Sequence, residues 1–99
     1  MSYQIITTAE SELTFYQNLD YLAKEWDDKV TDHFIDRVDN VIQKIKQNPF
    51  LFPLHGYQNN VRKAIIHKRI ILYYRIIDDA LIELLVFWNT ARDPKDLKF

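Results

Sequence analysis

The sequence predicts an α+β fold, in which an N-terminal strand and an antiparallel helical hairpin precede a three-stranded antiparallel meander, with the helices on one face of the sheet. Three observations carry this reading. Apolar residues recur at helical spacing between positions 9 and 45; β-branched and aromatic runs fill 61 to 88; and Pro49, Pro53 and the one glycine, Gly56, mark the boundary between the two regimes. At 99 residues the chain has room for a single domain spanning 1–99.

Tyr3 to Thr7 is short and β-leaning. Thr7 and Glu10 form a T-x-x-E pattern that suits a helix start. Ala9, Leu13, Tyr16, Leu19, Ala23 and Trp26, with Leu22 alongside, follow at spacings of three and four, which predicts that they form the buried face of a first helix with Trp26 as a plug at its end. Asp27-Asp28 interrupts the pattern and supplies capping carboxylates for a second helix, whose stripe is Val30, Phe34, Val38, Val41, Ile42 and Ile45. Asn48-Pro49 stops it. So short a connection makes the two helices antiparallel neighbours.

The loop from Pro49 onward carries Phe50, Leu51, Phe52 and Leu54, apolar enough to lie against the body of the domain, with a further turn signal at Asn59-Asn60. Val61 to His67, Ile70 to Ile77 and Leu81 to Trp88 then read as sequential antiparallel strands, the last two joined through Asp78-Asp79. Strict alternation places Leu72, Tyr74 and Ile76 on one face of the second run, and Ile82, Leu84, Val86 and Trp88 on one face of the third. The other face then shows Ile71, Tyr73, Arg75, Leu85 and Phe87, a patch expected to stay free for a partner.

Composition excludes several functions. There is no cysteine, so disulfides, thiolate metal sites and thiol nucleophiles are ruled out. His33, His55 and His67 show no ligand spacing, one glycine cannot build a phosphate-cradling loop, and neither a metal nor a cofactor is expected. The aspartates at 27, 28, 32, 36 and 39 read as the solvated face and caps of a helix. No apolar run is long enough to cross a membrane and no export segment opens the chain, so the expected location is the cytoplasm.

A net charge of −1 argues against direct DNA binding by this chain alone. Charge is uneven, however: residues 1–60 carry 5 basic against 9 acidic residues, and residues 61–99 carry 8 against 5. His67, Lys68 and Arg69 fall at a strand-to-strand turn, where such a cluster is ordinarily a solvated tip.

The order of elements, the Asn-Pro loop, the stretch Val61-Arg62-Lys63 leading to Ile71-Leu72-Tyr73-Tyr74-Arg75-Ile76, and the closing Ala91-Arg92-Asp93-Pro94 together resemble the RelE/ParE superfamily of type II toxins. The resemblance implies a toxin neutralised by a cognate antitoxin. Its RelE-like branch consists of ribosome-dependent messenger RNA endoribonucleases, and its ParE-like branch is associated with blocking DNA gyrase. Matched on Tyr74, Arg62 occupies the first basic position of the nuclease set, but Ala64 and Ile71 stand where two further cations are expected. The tail after Asp93 has no tyrosine or histidine to act as an acid.

The ParE-like branch is therefore the expectation. If the chain were a nuclease, Arg62, His67, Arg69 and Arg92 would be its catalytic candidates. An inactive member that only binds an antitoxin is a third reading. For contact with antitoxin or target the sequence singles out Arg62, Lys63, Tyr73, Arg75, Phe87, Trp88 and Arg92, since arginine and aromatic residues dominate interface energetics. A local ion pair of Arg92 with Asp93 is the bland alternative for that arginine.

Overall fold

A computed structural model describes residues 2–56 and 60–99; Asn59, half of the second turn signal, lies outside them. Strand β1 (Gln4–Thr7) leads into helices α1 (Ala9–Glu25) and α2 (Asp28–Gln47), and the loop then delivers strands β2 (Val61–His67), β3 (Ile70–Ile76) and β4 (Leu81–Asn89). A 3-10 turn at Pro94–Asp96 precedes the C-terminus. The predicted α+β class holds, with a mixed sheet: the order is β1-β4-β3-β2, antiparallel through the meander, with β1 parallel to β4.

The α1 start is one residue later than the T-x-x-E pattern indicated. Thr8 is the N-cap; its hydroxyl accepts from the Ser11 amide at 3.0 Å while Ser11 Oγ accepts from the Thr8 amide at 2.9 Å. A serine closes the reciprocal box in place of an acidic residue. Asp27 caps α2 through the Val30 amide, as expected.

The α2 stripe is buried as predicted, with Phe34, Val38, Val41 and Ile45 in the core and Val30 and Ile42 packed against it. The α1 stripe is not. Leu13, Tyr16 and Trp26 are 53%, 64% and 51% exposed, while Ser11, Thr14, Asn18 and Leu22 point inward. The cause lies in β4. Pairing with β1 ends at Thr7 opposite Leu84, so the rest of that edge of β4 has no strand beside it. Polar side chains of α1 take the strand's place: Thr14 Oγ1 accepts from the Phe87 amide at 2.9 Å, Asn18 Nδ2 donates to the Phe87 carbonyl at 2.9 Å, and Thr8 Oγ1 lies 3.0 Å from both the Leu84 and Leu85 carbonyls. Buried backbone groups need partners, and here a helix supplies them.

Strict alternation also fails in β4. Tyr73 pairs with Val86 but Tyr74 pairs with Leu84, which leaves Leu85 as a bulge residue. Beyond the bulge the faces exchange. Phe87 joins the helix-side core with Leu72, Tyr74, Ile76, Ile82 and Leu84, whereas Val86 and Trp88 join Tyr73, Leu85 and Val61 on the far side.

That far side is not left free. Leu97 packs on the cluster, and the Phe99 ring lies 5.1 Å from Tyr73 and 5.5 Å from His55, itself 4.9 Å from Tyr73. The 3-10 turn reverses the chain: Asp93 accepts from the Lys95 amide, and the Leu97 amide donates to the Pro94 carbonyl, laying the last residues back over the sheet.

Candidate functional site

The residues singled out from the sequence fall into three separate places. Arg62 sits on edge strand β2 beside the Pro-rich loop. Its Nη1 donates to the Phe52 carbonyl at 2.7 Å, lies 3.4 Å from the Phe50 carbonyl, and its guanidinium stacks 5.1 Å from the Phe50 ring. Opposite it in register, Tyr74 donates its hydroxyl to the Pro49 carbonyl at 2.6 Å. Burial pushes the Tyr74 hydroxyl up to about 12, against an opposing pull from the Arg62 charge. Together with the bridge between Leu54 and Arg62 and the Lys63 amide donating to the Pro53 carbonyl, these bonds fasten the loop to β2. Arg62 is a clamp on the fold.

On the far face, Tyr73 and Trp88 are buried, covered respectively by the tail and by Arg92, whose guanidinium stacks 4.8 Å over the indole. Arg92 forms no pair with Asp93, whose carboxylate instead accepts from the Lys95 amide. Arg75 lies opposite Glu83 and forms a half-exposed ion pair with it at 3.5 Å. Burial lowers the His55 pKa, with the neighbouring Lys63 charge adding to the effect, and burial likewise raises the Tyr73 hydroxyl. The bulge carries Phe87 to the helix side, under Phe15, with ring centroids 5.5 Å apart. Tyr73, Phe87 and Trp88 are thus inside the monomer, whereas Arg62, Lys63 and Arg75 are partly exposed and Arg92 is exposed.

The third place is the β2–β3 turn. His67 is half-buried against Trp26 of the helical bend, rings 6.4 Å apart, with Lys68 and Arg69 exposed beside it. The sequence brought none of these to Trp26, because that contact joins residues forty-one positions apart.

Besides Phe50, Leu51 and Leu54 of the loop, which stay exposed although the loop is fastened to β2, apolar surface is exposed on the helices. A cleft of about 240 Å³ runs between α1 and α2, lined by Phe15, Tyr16, Val38, Ile42 and Phe87 and edged by Thr7 and Glu12. Leu13 and Ile35 add exposed apolar surface to the same two helices. Sequence reasoning assigned Leu13 and Tyr16 to the core and so missed this surface; the signal that was present is Ser11, Thr14 and Asn18 at spacings of three and four, a polar stripe on the face that Leu22 continues. Among the described residues no three His, Cys, Asp or Glu side chains gather to hold a metal ion, and no helix is long and apolar enough to cross a membrane.

Against this geometry, the chain matches the family model described as the ParE toxin of type II toxin-antitoxin system, parDE, over residues 8–94. No curated protein matches it. Among solved structures, a chain of the Escherichia coli DinJ-YafQ toxin-antitoxin complex aligns with a TM-score of 0.64 at 14% identity, covering 92% of this chain and 96% of that one. The YoeB dimer from Staphylococcus aureus aligns at 0.60 and 14%, covering 89% and 97%. The YoeB/ParE toxin from Agrobacterium tumefaciens aligns at 0.60 and 15%, covering 87% and 96%. At these identities the structures share the fold.

Proposed function

The chain belongs to the ParE toxin family of type II toxin-antitoxin systems, and from that premise we propose that it stops growth by binding a protein target, DNA gyrase being the favoured one, while a cognate antitoxin holds it in check. The observation that carries this reading is the engagement of Arg62. The one cation that matches the nuclease pattern is bonded to two loop carbonyls inside its own fold. Cleavage of RNA by its own 2′-hydroxyl calls for a base, an acid and free cationic support around the phosphate. Here the tyrosine facing Arg62 is held protonated by burial, and the tail contributes Leu97 and Phe99 to packing.

For the antitoxin, the surface that supports docking best is the cleft between α1 and α2, lined by Tyr16, with Leu13 exposed on the same helix, since exposed apolar surface on a small domain marks a partner site. Lys63, Arg75 and Arg92 would meet acidic groups of a partner reaching around the sheet. A related toxin, YafQ, is found in complex with DinJ, and a YoeB relative in complex with YefM, which supports a protein antitoxin here.

Two assays on the purified chain test the proposal. Gyrase supercoiling should be inhibited and then restored by antitoxin, and transcripts programmed on ribosomes should remain intact. Ribosome-stimulated cleavage that disappears in folded Arg92→Ala or His67→Gln would overturn it in favour of a nuclease. Induced expression of soluble chain without growth arrest would instead identify an inactive antitoxin-binding member.

A further inference from the structure

The far face of the sheet is closed by residues 94–99, and side chains alone fasten that segment to the body. The last main-chain bond between this end of the chain and another element runs from the Thr90 amide to the Arg69 carbonyl, at 2.6 Å. Beyond it, among the described residues, main-chain bonds only close local turns, Arg92 onto Asn89, Asp96 onto Asp93 and Leu97 onto Pro94. What keeps the segment over the sheet is Leu97 on the cluster of Val61, Tyr73, Leu85, Val86 and Trp88, and the Phe99 ring in a triad with Tyr73 and His55. The cover is not flush. A cleft of about 390 Å³ remains, lined by His55, Pro94, Leu97, Lys98 and Phe99. An element held by a few side-chain contacts and by no ladder of backbone bonds belongs to the low-stability end of a fold.

His55, in contrast, is fixed in place. Its amide donates to the Val61 carbonyl at 2.8 Å, Leu54 before it bridges to Arg62, and Gly56 after it turns with a φ of 59°, a conformation glycine takes without strain. Movement at the triad therefore falls to the segment and not to the loop. The charges facing the imidazole are of one sign. Lys63 acts on it from β2, Lys98 lines the same cleft, and burial raises the Tyr73 hydroxyl on β3, which keeps that group neutral. Further along the sheet, Arg75 is paired with Glu83. Among the described residues no carboxylate lies within 4 Å of His55. A proton on that ring would be partly buried beside two cations, with no anion to compensate it.

We propose that residues 94–99 form a strap latched by the neutral His55 ring, and that mild acid opens it, uncovering Tyr73 and the apolar cluster that the closed monomer withholds from partners. Burial, and after it the Lys63 charge, lower the His55 pKa, so the latch holds at neutral pH and is lost as pH falls through that lowered value. Linkage is reciprocal. If the proton opens the strap, the strap must equally resist the proton. The device is independent of which protein the toxin stops, and it lies on the opposite face of the sheet from the helices that wall the antitoxin cleft.

Nuclear magnetic resonance on the folded full chain reads both sides of this linkage. Cross-relaxation between the Tyr73 and Phe99 rings should be strong at about pH 7.5 and absent by about pH 5, while the Phe34 and Leu22 signals of the core stay in place. His55→Phe keeps a ring but takes no proton, and should hold the contact across the whole range. Lys63→Gln removes one of the two effects that disfavour the charged ring, and should move opening to higher pH. Phe99→Ser should raise the His55 midpoint toward the ordinary histidine value, which a merely structural ring contact would not do. The proposal is overturned if the Tyr73–Phe99 contact persists through the His55 titration, or if His55→Phe loses it over the same range as the wild type. It is equally overturned if the His55 midpoint is the same with and without the Phe99 ring, or lies above the ordinary value, as attraction of a charged imidazole to the two ring faces would make it.

Discussion

Helices α1 and α2 lie on the same face of one sheet, yet opposite chemistry holds them there. α2 packs toward β2 with Phe34, Val38, Val41 and Ile45, side chain against side chain. α1 packs on β4 with Ser11, Thr14 and Asn18, and of its larger apolar residues Leu22 alone is fully enclosed. The difference teaches that a helix buries whatever its neighbour requires. Over the interior of a sheet the requirement is apolar volume; beside a strand edge it is hydrogen-bond partners for the backbone. Because α1 meets the second requirement with polar groups, its apolar residues Leu13 and Tyr16 are released to the surface, and Tyr16 lines the cleft proposed for the antitoxin.

The largest effect should come from the apolar helix. Phe34→Ala removes a fully buried ring from α2 and should lower unfolding free energy by about 3–5 kcal/mol in equilibrium urea denaturation. The polar helix should show a smaller but diagnostic loss: Thr14→Val keeps shape while leaving the Phe87 amide unpaired, an expected cost of about 1–3 kcal/mol. A loss below about 0.5 kcal/mol would break the account of α1, since the edge would then be satisfied some other way.

The sheet gives a second contrast, between a helix-side tyrosine and a tail-side histidine. Tyr74 titrates at about 12, above its unfolded value near 10. Folding therefore favours the protonated hydroxyl; its contribution is complete below pH ~10 and is lost as pH climbs through about 12. Ultraviolet titration should show Tyr74 ionising last, and Tyr74→Phe should abolish that late step. His55 shifts the other way, below 6.5, because burial and Lys63 disfavour its charged form. Its contribution is present above pH ~6.5 and lost on acidification through the lowered value. The tail packed on it should loosen over that window, visible as Phe99 resonances shifting toward free-chain positions. Phe99 signals constant down through the His55 titration would mean that the tail does not rest on the neutral imidazole.

The smallest stability effect belongs to the outer face of α1. Leu13→Ser and Tyr16→Ser should each change unfolding free energy by no more than about 0.5 kcal/mol. Antitoxin affinity, read by calorimetry, should nevertheless fall about tenfold or more, as for residues at the centre of an interface. Unchanged affinity would remove the cleft from the antitoxin's footprint.

The amino-acid sequence by itself determined which segments are helix and which are strand, the Asp27 cap, the apolar stripe of α2 and the meander, because each is set by neighbours a few residues apart. It also carried the order of motifs that marks the family. Only the tertiary structure decided that β1 runs parallel beside β4 and stops at Leu84, that Leu85 bulges and exchanges the faces of Phe87 and Trp88, and that the tail closes the far side. Those outcomes depend on backbone groups far apart in the chain finding partners. Hydrophobic periodicity records what a segment can bury, and carries no term for which hydrogen bonds its eventual neighbour leaves open.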